Sequence, residues 1–114
     1  MTTNSVATRR VSDVTVIDVF GRITLGRGSS ALRDAVITVL SDGQTKMLIN
    51  LTGVEYVDSS GVAELVWAVQ NAKTRGADLK LTGLSRRVTD LLTLTKVLPL
   101  FDVSESEATA IAGF

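Results

Sequence analysis

The chain has 114 residues, 45% of them hydrophobic and 21% charged, a balance that predicts one folded domain over residues 1–114 and excludes a disordered or fibrous chain. Twelve basic residues balance twelve acidic residues, so the chain has no net charge with which to hold nucleic acid or an acidic membrane surface. Cysteine and histidine are both absent, which excludes disulfides, thiolate nucleophiles, Ser-His-Asp triads and the commonest zinc ligand.

The amino-terminal segment carries no recognisable targeting signal. Residues 1–5 read Met-Thr-Thr-Asn-Ser, without the basic region and apolar stretch of a secretion signal. No run of about eighteen apolar residues occurs anywhere in the chain. We therefore expect residues 1–5 to be flexible, and the protein to lack a membrane span and to be cytoplasmic.

An antiparallel pair of strands is predicted at the start of the domain. Residues 6–11 and 14–20 are rich in β-branched side chains, although the first segment is more polar because it contains Arg9 and Arg10. The residues 12–13 between them are a Ser-Asp pair, which is typical of a turn. We expect these segments to form a hairpin at the edge of the sheet.

The next segments predict a helix and a buried strand. Apolar residues take helical spacing from Ser29 or Ser30 as the N-cap to Gly43 as the C-cap. The apolar stripe of this helix consists of Leu32, Ala35, Val36, Val39 and Leu40. Residues 46–51 are almost continuously apolar, as in a central strand covered on both faces, and we expect Thr52-Gly53 to turn the chain after it.

The second half continues the alternation of strands and helices. Helical spacing returns over residues 62–75 and ends at Gly76. The remaining predicted elements are a strand over 78–82, a helix capped by Ser85, a strand over 100–103 and a helix opened by a capping box over 104–107. This order predicts an α/β domain with a mixed, mostly parallel sheet of about four to five strands and about four helices.

One strand-to-helix junction stands out as a candidate site, at Asp58-Ser59-Ser60-Gly61. Ligands of open α/β sheets gather at the carboxyl ends of strands, where the unpaired N–H groups of a helix start attract anions. In one interpretation Ser59 or Ser60 is only the N-cap, and Asp58 is a favourable charge near the positive end of the helix. In the other, a serine hydroxyl is presented to a kinase, and phosphorylation adds a charge of about −1.5 to −2. Spacing alone does not separate the two.

The same segment resembles a known signature. Asp58-Ser59-Ser60-Gly61, preceded by residues 50–57 and followed by an apolar helix, resembles the motif of the bacterial anti-sigma factor antagonists, which are STAS domains. Nearly the whole chain takes part in the resemblance. The other matching segments, in the order and spacing of the family, are Gly21 and residues 81–85, 88–92 and 97–101.

This resemblance implies a regulator rather than an enzyme, with no metal or other cofactor. Ser59 would be phosphorylated by a partner that is both an ATP-dependent serine kinase and an anti-sigma factor. The unphosphorylated form would bind this partner and free the sigma factor, and the phosphorylated form would dissociate. Asp58 would shape the phosphorylation loop, and Ser60 and Gly61 would open the helix. We expect such a protein to be a monomer or a weak homodimer.

Two arginines depart from the family pattern. Antagonists of this kind commonly carry acidic residues after the glycine that follows the second strand, whereas this chain has Arg22 and Arg27 there. By the resemblance, this loop lies at the same end of the sheet as Ser59. Arg22 or Arg27 would therefore pair with a phosphoserine or with an unusually acidic partner. The alternative is that both are solvated surface arginines.

The only tryptophan is a second candidate for partner binding. At about 100° per residue, Trp67 shares its helix face with Ala63 and Glu64 and lies opposite Val62 and Val66. We expect Trp67 to point outward, where it would anchor a partner because such side chains often carry much of the binding energy. The alternative is that a loop or a second copy of the chain covers it.

Two rival functions remain at this point. Residues 26–31 match G-x-G-x-x-A at the start of a helix, but the acidic residue expected about twenty positions later in a dinucleotide site is missing. A small nucleotide- or anion-binding module would use the helix starts at Ser29 and Ser60. A third interpretation keeps the STAS fold in a scaffold subunit of a stress-signalling assembly or in an accessory to a transporter.

Overall fold

The computed structural model describes residues 4–24 and 27–114, without the side chains of residues 4 and 27–30. These residues form a five-stranded sheet in the order β1-β2-β3-β4-β5, in which β1 and β2 are antiparallel and all other neighbours are parallel. The elements are β1 (Asn4–Val11), β2 (Val14–Ile23), α1 (Arg27–Ser41), β3 (Lys46–Val57), α2 (Ser59–Thr74), β4 (Asp78–Thr82), α3 (Arg86–Leu94), a 3₁₀ turn (Leu98–Leu100), β5 (Asp102–Ser104) and α4 (Glu107–Ala112). The predicted α/β class, the opening hairpin and the mixed, mostly parallel sheet are confirmed.

The two faces of the sheet bury different cores. Alternating side chains of β2 point to opposite faces: Ile17 and Val19 belong to a large cluster with α1, α2 and α3, whereas Val14 and Val16 pack with Leu48. The smaller cluster is closed by Ala110 of α4. Three helices therefore cover one face, and the short α4 covers only part of the other face, against β3, β4 and β5.

The strand β3 is longer than predicted. The expected turn at Thr52-Gly53 is wrong, because β3 continues to Val57. Gly53 pairs with Phe20 of β2, and the register shifts just before Phe20 and again after Gly21. The lack of a side chain at Gly53 makes room for the Phe20 ring, which lies 2.5 Å from the position that a Cβ atom would take. Gly53 therefore accommodates an irregularity in the pairing of β2 with β3 and does not form a turn.

Several predicted helix ends are confirmed and others are corrected. Gly43 and Gly76 have positive φ angles of 79° and 74°, as expected of glycines that end α1 and α2. The Ser85 hydroxyl accepts a hydrogen bond from the Val88 amide at 3.2 Å, so it caps α3 as predicted. The helix α1 begins at Arg27, so Ser29 and Ser30 lie inside its first turn and neither is the N-cap.

The carboxyl-terminal segment also differs from the prediction in detail. Pro99 lies in the 3₁₀ turn, so β5 starts at Asp102 instead of residue 100. The helix α4 is capped by Ser106, whose hydroxyl accepts from the Thr109 amide at 3.1 Å, and not by the box predicted over 104–107. Among the helices of the described ranges, none is long and apolar enough to span a membrane.

Candidate functional site

The junction between β3 and α2 is capped by Asp58. Its backbone is extended, with φ −99° and ψ −174°, and one carboxylate oxygen accepts a hydrogen bond from the Gly61 amide at 2.9 Å. The expectation that Ser59 or Ser60 caps this helix is wrong. Because β3 runs to Val57, Asp58 takes the N-cap position, and Ser59 becomes the first residue of α2.

The backbone of this junction is pressed against the end of β2. The Asp58 amide donates to the Ile23 carbonyl at 3.2 Å, and Gly61 is buried. A Cβ atom at Gly61 would overlap that carbonyl oxygen and would approach Val57 Cγ1 to 2.7 Å. Glycine is therefore the residue that fits here, for reasons of space, and its close approach holds the first turn of α2 in place.

This packing leaves the two serines in different environments. Ser59 is exposed, whereas Ser60 is half-buried. The hydroxyl of Ser59 is thus presented to solvent from a backbone that is held on two sides, by the Asp58 cap and by the end of β2. Ser59 is the more accessible of the two serines to a modifying enzyme.

Ser59 also lies beside an apolar groove of about 360 Å³. The groove runs along α2, where Ala63 and Trp67 line it, and its other side includes Thr95 and Val97 after α3. Three of the predicted site residues are therefore brought together on one surface. The arrangement is suited to an apolar side chain of a protein partner, with a serine at the margin of the contact.

Trp67 is not fully exposed, in contrast to the expectation. The side chain is half-buried, packs against the large core cluster and lines the same groove as Val62 and Val66. The guanidinium group of Arg33, on α1, lies 4.6 Å from the centre of the indole ring. The helical projection missed this because α1 and the segment after α3 flank α2 and partly cover its outer face.

Arg33 also binds Glu64, so the predicted binding residues Trp67 and Glu64 both contact the same arginine. The Arg33 Nη2 and Nε atoms lie 2.8 and 3.0 Å from the Glu64 carboxylate, whose side chain is only 14% exposed. Ala63, one residue earlier, is exposed. Sequence reasoning did not identify Arg33, whose place opposite Glu64 depends on how α1 and α2 pack.

Arg22 lies in a second groove. It is exposed at the end of β2, with its guanidinium carbon 6.0 Å from the centre of the Tyr56 ring, and it lines this groove together with Glu55 and Arg87. The side chain of Arg27 lies outside the described residues. Sequence reasoning missed Arg87 and Tyr56, although two consecutive arginines in the first turn of a helix are an unusual choice that could have drawn attention to Arg87.

The rival dinucleotide motif is only partly described. Its first glycine, Gly26, lies outside the described residues, and Gly28 is already inside α1.

Comparison with known proteins gives a consistent result. The family model of the STAS domain matches residues 5–110. The anti-sigma-B factor antagonist of Bacillus subtilis (strain 168) is 32% identical over 73 residues, which are 64% of this chain and 66% of that protein, just under two thirds of its length.

Two solved structures share the fold. An anti-sigma factor antagonist from Mycobacterium paratuberculosis has a TM-score of 0.82 at 18% identity, with 96% of this chain and 92% of that chain covered. The Bacillus cell fate determinant SpoIIAA in its phosphorylated form has a TM-score of 0.72 at 19% identity, with 96% and 98% covered.

Proposed function

This chain belongs to the STAS domain family, and we propose that it is an anti-sigma factor antagonist controlled by phosphorylation of Ser59. The unmodified protein binds an anti-sigma factor that is also a serine kinase, and the phosphorylated protein releases it. The observation that carries the proposal is the exposed Ser59 residue, which follows the Asp58 cap and lies at the margin of an apolar groove. Similarity to proteins named as anti-sigma factor antagonists supports it.

Phosphorylation of Ser59 leaves the domain folded. The cap of α2 is supplied by Asp58, so the helix does not depend on the Ser59 hydroxyl. A phosphate on the first residue of a helix is close to its positive end, where a negative charge contributes about 0.3–1 kcal/mol of stability. The modification therefore acts on the contact with the partner and not on the fold.

The partner surface in this proposal includes both grooves. Ala63 and Trp67 contact the partner in the apolar groove beside Ser59, and the adjacent Glu64 borders this contact. Arg22 contacts it at the end of β2, and Arg27 of α1 is a further contact in this proposal. A group with a charge of about −1.5 to −2 at the margin of an apolar contact must be desolvated if the partner stays bound. A hundredfold loss of affinity corresponds to about 2.7 kcal/mol, which desolvation and repulsion by a phosphate can supply.

The deciding experiment is phosphorylation by the co-expressed anti-sigma factor with ATP, followed by mapping of the phosphate by mass spectrometry. We expect one phosphate on Ser59, none in Ser59→Ala, and an unchanged yield in the matched control Ser60→Ala. Calorimetry should show at least about a hundredfold weaker binding of the phosphorylated protein. A phosphate on another residue, or a phosphorylated form that binds as tightly as the unmodified one, contradicts the proposal.

The same calorimetry tests the rival module. Titration of the chain with ATP or GTP in the absence of the anti-sigma factor should give no heat of binding, because the nucleotide belongs to the partner in this proposal. Light scattering after size exclusion should report a monomer or a weak homodimer. Saturable nucleotide binding by the isolated chain favours the anion-binding module instead.

A further inference from the structure

The groove at Arg22 has a composition that the Ser59 switch does not explain. Arg22 and Tyr56 face each other as neighbours on β2 and β3, near the carboxyl ends of both strands. Arg87 reaches the same groove, of about 290 Å³, from the first turn of α3, and Glu55 completes its lining. Arginines from two separate elements thus line one groove together with an exposed aromatic ring, which is 41% accessible.

The charges of this groove are not neutralised within the fold. Among the described residues, neither Arg22 nor Arg87 has a carboxylate within 4.0 Å, and Glu55 forms no such pair either. Arg9 and Arg33, by contrast, each bind a carboxylate with two or more nitrogen atoms. The groove therefore keeps a net positive charge that is available to a molecule outside the domain.

The position of Arg87 adds to this positive charge. It follows Arg86 in the first turn of α3, which contains no acidic residue. Helix starts favour acidic side chains because the amide groups there carry a partial positive charge. An arginine at this place reduces the stability of the isolated helix, and within the described residues no ion pair of Arg87 compensates for it.

We infer that this groove docks an acidic segment of the partner protein, with Arg22 and Arg87 each binding a carboxylate and the Tyr56 ring packing between them. The inference rests on the proposed function for the existence of a protein partner, and it names the chemistry of one contact. Charge complementarity selects carboxylates, which match the planar fork of arginine. Ser59 itself lines the other groove.

The test uses the ¹⁵N-labelled full chain and a probe peptide of six glutamates, acetylated and amidated, with a peptide of six glutamines as its control. We expect chemical-shift changes on titration to concentrate at Arg22, Tyr56 and Arg87, and to be absent with the glutamine peptide. Arg22→Glu and Arg87→Glu should each raise the dissociation constant of the glutamate peptide at least about fivefold. The matched control is Arg86→Glu, in the same helical turn but 95% exposed and outside the groove, which should change the dissociation constant less than about twofold.

Three results overturn the inference: equal loss of affinity in Arg86→Glu, shift changes spread over all surface arginines, or equal binding of the glutamine peptide. Urea unfolding of each variant, together with the neutral variants Arg22→Gln and Arg87→Gln, separates lost binding from lost folding. Failure here is distinct from failure of the proposed function. Phosphate transfer to Ser59 is measured without the peptide, and peptide binding is measured without the kinase.

Discussion

Charged side chains have opposite roles in two regions of the sheet. One region is the face under α4, and the other is the carboxyl end of β2 and β3 near Ser59, here called the Ser59 edge. Under α4, the guanidinium group of Arg9 binds Asp18 at 2.7 Å and Glu107 at 2.9 Å. At the Ser59 edge, Arg22 and Arg87 have no carboxylate within 4.0 Å among the described residues. The first arrangement uses charge to attach one element to another, and the second leaves charge for recognition.

The two regions are held in the fold by different kinds of contact. The helix α4 has six residues, too few to be stable alone, so it depends on the burial of Ala110 and on the contact between Glu107 and Arg9. Asn50 donates to Asp18 at 2.8 Å, which extends the network into the sheet. The Ser59 edge is held instead by backbone contacts and by the Asp58 cap, so the exposed Ser59 side chain is not required for folding.

The largest expected effect tests the backbone contacts of the Ser59 edge. Gly61→Ala should lower the free energy of unfolding by about 3 kcal/mol, because the new methyl group meets the Ile23 carbonyl and the Val57 side chain. Urea unfolding measures it. Gly113→Ala is the control: its nearest neighbour atoms lie 3.4 Å away and its φ is −88°, so the change should stay within about 0.5 kcal/mol. Equal effects would mean that the junction is not tightly packed.

A smaller effect on the free energy of unfolding distinguishes Asp58, which caps α2, from Ser59, which does not. Asp58→Ala should cost about 1.5 kcal/mol because it removes the acceptor of the Gly61 amide. Asp58→Asn keeps an acceptor and should recover most of that loss. Ser59→Ala should cost less than about 0.5 kcal/mol, since Ser59 is exposed and does not cap the helix. A larger loss in Ser59→Ala than in Asp58→Ala would reverse the assignment of the N-cap.

The ionic contact under α4 predicts a dependence on pH. Hydrogen bonds from Arg9 lower the pKa of Asp18 and of Glu107 below their usual values. The stabilisation is therefore complete above the unfolded pKa values of about 4, and it is lost as the pH falls through the lower folded values. Arg9→Ala should cost about 1 kcal/mol at pH 7, and the difference from the parent protein should shrink towards pH 2. Arg75 is an exposed arginine that follows α2. The stability difference between Arg75→Ala and the parent protein should not change with pH.

The smallest expected effect is at the margin of the apolar groove. Arg33→Ala removes the cation over the Trp67 ring and the partner of Glu64, which should cost about 0.5 kcal/mol. Trp67 is the only tryptophan, so its emission should shift to longer wavelength and acrylamide should quench it more strongly. Arg86→Ala should leave the emission unchanged. An unshifted spectrum in Arg33→Ala would mean that α1 does not cover the ring.

Local patterns in the sequence were sufficient for most of the elements. β-branched residues identified β1 and β2, helical spacing identified α1 and α2, and the Ser85 cap of α3 was recognised because capping involves only residues three apart. The Asp58–Gly61 segment was located as the candidate site for the same reason. A strand end, a polar turn and an apolar helix are adjacent in the chain.

Three of the wrong predictions share one cause, which is contact between distant segments. Gly53 was predicted to form a turn because its pairing with Phe20 of β2 is not visible in the sequence. A serine was predicted to cap α2 because the pairing that extends β3 to Val57 is not visible either. Trp67 looks exposed on an isolated helix, and α1 covers part of it.

The sequence by itself determined the order of the elements, the mixed sheet and the place of Ser59 in the chain, because these follow from periodicity and from residues close to one another. Only the tertiary structure decided which groove Ser59 borders, which arginines are paired and which remain unpaired. Those outcomes depend on distances between segments far apart in the chain. The folded packing sets these distances, and no local pattern encodes them.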